Sequence, residues 1–273
     1  ISILMFLKLH SIPVSQISII NHLSLMRWIS ATIFLVSEGK GSVVFLLLKI
    51  LQKMWHIPLN VARQTLQVTE QKSLCTNDGQ LSRRLRTDTY QRRYRRLGGP
   101  YSRFCTDTLF SKVKSTSGNV CAEVYTNRLG FIKVYPMESK SDAHQTFLIF
   151  IHEVGIPHSI HNDGVRELNQ GEFKKKLNKY EVHFSETDPY TPWQNDTEWK
   201  INVLKILGRY FMQSTNTPIC LWDYEYIHAA NIISRTATNT LDPLHQTPFE
   251  HVMGYTPDIS ERTSFKWYQP VWY

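Results

Sequence analysis

Three acidic residues stand out for the chemistry they could perform together: Asp107, Asp163 and Glu198. Carboxylates are hard oxygen ligands suited to Mg²⁺ or Mn²⁺. An ion held by one or two of them keeps positions open for water and phosphate oxygens. Two such ions about 4 Å apart activate a nucleophile and stabilise the leaving oxygen of an in-line displacement. That is metal-assisted phosphoryl transfer, and it requires acids from distant parts of the chain to converge. Asp163 and Glu198 are 35 positions apart. With 23 Asp and Glu in 273 residues, such a spacing arises readily by chance, so the elements carrying the acids have to decide.

Three strand-like runs are expected at 105–113, 119–125 and 130–135, separated by turns at Gly118 and Asn127, which reads as an antiparallel meander. An amphipathic helix is expected over 141–154, with Ala143, Phe147, Ile151 and Val154 on one face. A fourth strand at 157–162, a short basic helix at 171–179 and a fifth strand at 181–185 follow. Helices over 195–213 and 221–235 complete the order. Asp107 then lies on the first strand, Asp163 at the carboxyl end of the fourth, and Glu198 in the first turns of the long helix. Asn202, Lys205 and Arg209 follow Glu198 at steps of four, three and four and share its face, which reads either as a contact to DNA phosphate or as an ordinary solvated face. Trp199, Val203, Ile206 and Tyr210 are expected to face the core.

The chain as a whole is basic, with a net charge of +8, which favours a polyanionic partner. Its 42% apolar and 20% charged residues are those of a globular protein, which excludes wholesale disorder. Residues 83–103 hold eight arginines interleaved with Tyr90, Tyr94 and Tyr101. Among them Arg92, Arg93, Arg95 and Arg96 are candidates for nonspecific nucleic-acid contact, the alternative being a charged linker. Cys75, Cys105, Cys121 and Cys220 form no C-x-x-C pair and read as scattered thiols. His152, His158 and His161 cluster near Asp163 and are read as packing or surface residues.

With these pieces in place, the sequence resembles the D,D(35)E integrases of retroviruses and long-terminal-repeat retrotransposons, in particular a copia-type group. The matching runs are Thr106-Asp107-Thr108, His161 to Leu168, and Pro189-Tyr190-Thr191-Pro192-Trp193-Gln194-Asn195 leading into Glu198. Thr247 to Glu250 and Gly254 to Ser260 also look like that group. The resemblance implies an α/β, RNase H-like fold with a five-stranded mixed sheet flanked by helices. It also implies two Mg²⁺ or Mn²⁺ ions on Asp107, Asp163 and Glu198, 3′-end processing of element DNA and strand transfer into a target duplex. DNA ends and target duplex would be its partners, and a homo-oligomer is expected by analogy. It implies no small-molecule cofactor and no membrane partner, and a nuclear location after a cytoplasmic particle stage.

The domains expected on this basis are an apolar leader at 1–53, read as degenerate or without assigned function, and a pre-integrase region with the Arg-rich linker at 54–100. A catalytic core at 101–255 and the start of a C-terminal region at 256–273 follow. Both chain ends read as cuts from a longer polyprotein. The greasy runs at 28–36 and 43–51 are each too short to span a bilayer. His10, His22 and Cys75 lack the His-His-Cys-Cys spacing of the family's zinc domain. Three alternatives stay open: a decayed remnant that binds nucleic acid without catalysis, another RNase H-like nuclease or transposase, and a polyprotein linker region with no independent fold.

Overall fold

The expected meander forms from β1 (Arg103–Phe110), β2 (Cys121–Asn127) and β3 (Ile132–Met137) in the computed structural model of the chain. The structure describes residues 40–71, 95–98, 102–162, 171–186, 196–238 and 246–270; side chains are described from 45 in the first helix and from 197 in the helix that starts at 196. The chain divides into two compact units, Ile1–Ile50 and Leu51–Tyr273. Within the first, the described residues 40–50 are helical and Leu48 is buried.

The helices are α1 (Lys40–Trp55), α2 (Leu59–Val68), α3 (Ala143–Glu153), α4 (Glu172–Lys179), α5 (Asp196–Thr215), α6 (Trp222–Arg235), α7 (Pro248–Met253) and α8 (Ser260–Ser264). Strands β4 (Ser159–Asn162) and β5 (His183–Glu186) complete a sheet of order β3-β2-β1-β4-β5. Pairs β1–β2 and β2–β3 are antiparallel, whereas β1–β4 and β4–β5 are parallel. This is an α/β, RNase H-like architecture, a five-stranded mixed sheet flanked by helices. Among the described residues no helix is long and apolar enough to cross a membrane.

Element ends differ from expectation where side chains compete with the backbone. The first strand stops at Phe110 instead of 113, because Ser111 Oγ bonds to the N–H and carbonyl of Val113 and curls the chain. The 141–154 helix begins later, after a 3₁₀ turn at Lys140–Asp142 preceded by Ser139, whose hydroxyl accepts from Ser141 N–H. Glu181 takes a φ of 53°, so the fifth strand starts at His183 rather than 181. Pro136 is accommodated because β3 is an edge strand.

Strand alternation divides the core in two. Phe104 of β1 meets Phe150 of α3 edge to face with ring centroids 5.0 Å apart, Tyr125 of β2 stacks on the same ring at 4.7 Å, and Tyr125 Oη lies 3.0 Å from Thr146 Oγ1. These residues belong to one buried cluster with Cys121, Phe147 and Phe173. Leu109, Val124, Ile201, Leu204, Phe211 and Ala229 are buried outside that cluster and come from β1, β2, α5 and α6. Helix α5 packs on β1 and β2, and α6 packs on β3 and α5.

Segments on either side of the sheet in sequence belong to the same unit. Glu70 N–H donates to Pro257 O, Ile259 N–H donates to Glu70 O, and Trp55 Nε1 donates to Arg262 O. On α2 the buried face is Ala62 and Thr65, while Val61 and Leu66 are half-buried. Thr65 Oγ1 accepts from Ala237 N–H, which joins α2 to the end of α6.

Candidate active site

Asp107 sits on the strand at the middle of the sheet. Its register partner is Val124, so it points away from the α3 side, towards the layer in which α5 packs. Asp107 is half-buried, and its Oδ1 accepts the Thr108 N–H at 2.7 Å. Thr106 and Thr108 point to the opposite face, where both meet Glu123. Thr106 Oγ1 donates to Glu123 Oε1 at 2.5 Å and Thr108 Oγ1 donates to Oε2 at 2.8 Å. Burial pushes the Glu123 carboxyl up to about 7, against the pull of the two hydroxyl bonds; the charge on Asp107 adds to the rise.

Parallel pairing aligns Thr106 with Asn162, the last residue of β4. In sequence, an aspartate directly follows each member of that pair: Asp107 and Asp163. Asp163 itself lies outside the described residues. One position earlier, His161 is buried, pairs with Cys105 in register and has Nδ1 2.9 Å from Ser185 Oγ, a packing role in line with its sequence reading. Among the described residues no group of three or more His, Cys, Asp or Glu is arranged to hold a metal ion.

Glu198 is in the first turn of α5 and is exposed. Asn202 and Arg209 are exposed and Lys205 is half-buried, so the row drawn from the sequence does reach solvent on the acid's side of the helix. The expected core face of this helix is corrected. Trp199, Ile206 and Tyr210 are 68%, 67% and 51% exposed, and Val203 is half-buried. The buried side consists of Thr197, Lys200, Ile201, Leu204, Gly208 and Phe211. Two contacts set this rotation. Gly208 presses on Glu225 of α6, and the Lys200 ammonium donates to the Asn127 carbonyl. Trp199, Ile206 and Tyr210 instead line an open groove of about 860 Å³, shared with Trp55, Pro58 and Ile232.

Of the arginine candidates, Arg92 and Arg93 lie outside the described residues. Arg95 donates to the Met253 carbonyl at the end of α7, and its guanidinium lies 3.3 Å from the place a Cβ on Gly254 would take. Arg96 is paired with Glu181 at 2.7 Å, both side chains remaining more than half exposed. Both arginines are exposed, and each has a partner within the fold, a carbonyl for Arg95 and a carboxylate for Arg96.

Three buried acids among the described residues escaped the sequence reading: Glu123, Asp223 and Glu225. A signal for the first was present: an acid inside the apolar run Cys121-Ala122-Glu123-Val124-Tyr125, opposite Thr106-Asp107-Thr108 in an antiparallel pair. Asp223 and Glu225 carry no such mark; α6 buries both, and Asn119 Nδ2 donates to Asp223 Oδ2 at 2.9 Å.

No protein-family model matches the sequence, and no curated protein matches it. Among solved structures, the chain is similar to one in the simian T-cell lymphotropic virus intasome in complex with PP2A regulatory subunit B56 gamma. That match has a TM-score of 0.47 and 18% identity, covering 59% of this chain and 57% of the other, so it spans little more than half of the viral chain. The HTLV-2 integrase catalytic core domain in complex with magnesium matches with a TM-score of 0.43 and 17% identity, over 56% of this chain and 97% of that domain. The BIV integrase catalytic core domain gives 0.44 and 12%, over 56% and 95%. At these scores the functional reading stands on the chain's own residues.

Proposed function

We propose that this chain carries an integrase-type polynucleotidyl transferase, of the D,D(35)E kind, acting on element DNA ends and a target duplex. One observation carries the reading: Asp107 lies on the central strand facing the layer of α5, the helix that packs on that strand and bears Glu198 in its first turn. The parallel Thr106–Asn162 pair, each member followed in sequence by an aspartate, supports it.

The donor set fits a hard divalent cation, because Asp107 and Glu198 offer carboxylate oxygens only and neither is fully buried. Together with Asp163, these residues would hold one or two Mg²⁺ or Mn²⁺ ions. Such ions, when bound, supply Lewis-acid stabilisation of the reacting oxygens. In end processing, a water oxygen attacks phosphorus and the 3′ oxygen departs. In joining, the new 3′ hydroxyl attacks a target phosphate in the same way, with no covalent enzyme intermediate. Asn202, Lys205 and Arg209 would bind the DNA backbone beside the acid, and their cations would displace counterions from phosphates. Self-association, nuclear location and a retroelement origin belong to the same proposal.

The test is Mg²⁺- or Mn²⁺-dependent nicking and joining of end-mimic duplexes by the full chain. Activity that vanishes in Asp107→Asn, Asp163→Asn and Glu198→Gln, each still folded, is the expected result. DNA binding without cleavage under any divalent metal would reject catalysis and leave a binding remnant. Cleavage of RNA–DNA hybrids in preference to duplex DNA would favour an RNase H-type nuclease.

A further inference from the structure

We propose that Glu123 is a positioning residue that fixes the Asp107 carboxylate through Thr108, an inference that rests on the metal-centre reading above. Thr108 is held at two points on opposite sides of the sheet. Its N–H donates to Asp107 Oδ1 at 2.7 Å, and its hydroxyl donates to Glu123 Oε2 at 2.8 Å. Thr106 donates to the other oxygen of the same carboxylate, at 2.5 Å. One buried acid therefore grips both chain neighbours of Asp107 from behind.

Pairing with β2 and β4 already fixes where β1 runs. What it leaves soft is the tilt of the peptide between 107 and 108, whose N–H aims at Asp107. Anchoring the Thr108 side chain restrains that tilt and so the direction of the carboxylate. Burying a carboxylate in mid-sheet is costly unless hydrogen bonds compensate it, and a β-branched apolar residue suits a central strand better. Glu123 is fully buried, and its two oxygens accept from the two residues that flank Asp107. Outer groups of this kind orient a ligand before the ion arrives.

The decisive variant is Thr106→Val/Thr108→Val/Glu123→Leu in the full chain. It removes donors and acceptor together, so no hydroxyl is left orphaned and stability stays near wild type. Glu123→Gln keeps one acceptor oxygen and the buried volume, and provides the same test with a smaller change should the triple variant not fold. Two readouts are needed. The amide proton of residue 108, followed by NMR without metal, reports the bond to Asp107. Mn²⁺ uptake, followed by the loss of the free-ion EPR signal, reports the metal site. The amide proton is expected to move upfield and exchange faster, and Mn²⁺ affinity to fall about 10- to 100-fold, with Glu123→Gln in between. A folded triple variant with an unmoved amide signal, or with wild-type Mn²⁺ affinity, overturns the clamp. A wild type that takes up no Mn²⁺, while the amide signal still moves in the variant, upholds the clamp and overturns the metal-centre reading instead.

Discussion

Gly208 of α5 lies directly against Glu225 of α6. A Cβ added at 208 would stand 2.2 Å from Glu225 Oε2 and 2.7 Å from both Glu225 Cδ and Tyr226 Cε1. Helix α5, which packs on the strand of Asp107, and helix α6, which packs on β3, thus meet where one has no side chain and the other buries an acid. Glu225 is 0% exposed, and among the described residues neither of its oxygens has a hydrogen-bond partner.

Gly208→Ala should therefore destabilise the fold despite the higher helix propensity of alanine. The buried Glu225 has little room to retreat, so the helices must part; overpacking of this kind costs about 1–3 kcal/mol. Urea unfolding measures it, and a gain in stability would show that the crossing is looser than described.

The same contact makes stability depend on pH. Burial raises the Glu225 carboxyl from 4.5 to about 8. The folded chain holds this proton where the unfolded chain has already released it. The associated stability is complete below about pH 4.5, falls as pH rises towards 8 and levels off above. Glu123, raised to about 7, acts in the same direction over the lower part of that window. Urea midpoints between pH 5 and 9 should decline for wild type, and Glu225→Gln should flatten the upper part of the decline. At pH 9 the variant should be the more stable of the two by about 2–4 kcal/mol. Parallel curves for the two proteins would place the titration elsewhere.

Helix α5 gives a contrast in packing. Leu204→Ala removes a fully buried side chain and should cost about 2–5 kcal/mol. Trp199→Ala removes a larger side chain that is 68% exposed and should change stability by less than about 1 kcal/mol. Chemical denaturation of both variants checks the rotation of the helix, and a reversed order would restore the core face first drawn from the sequence.

For the cation row, Lys205→Ala and Arg209→Ala should weaken duplex binding to a similar degree whatever the sequence. Each should also lower the slope of log affinity against log salt by about one, the mark of a lost phosphate contact. Fluorescence anisotropy across a salt series tests this; an unchanged slope would place the residue outside the DNA footprint.

The sheet was readable from the chain because alternation and turn residues act locally. Runs such as Cys121 to Tyr125 bury successive side chains on two faces, and Gly118 at φ 90° suits the connection between β1 and β2. The ends were less readable, since they were decided by single hydroxyls such as Ser111 and Ser139. The acid positions could be drawn onto β1 and α5 from motif spacing. The partner of the first strand's acid could not, because Glu123 meets Thr106 and Thr108 only after two strands pair in one register.

The sequence by itself determined the order of strands and helices in the sheet domain and the basic character of the chain, and it nominated three acids as candidates. Tertiary structure decided which face of α5 is buried. That helix carries apolar residues nearly all round, at Trp199, Ile201, Val203, Leu204, Ile206 and Tyr210, so periodicity alone permits more than one orientation. The approach of Gly208 to Glu225 and the reach of Lys200 to Asn127 select one of them, because close packing tolerates only the rotation in which the small residue faces the neighbouring helix.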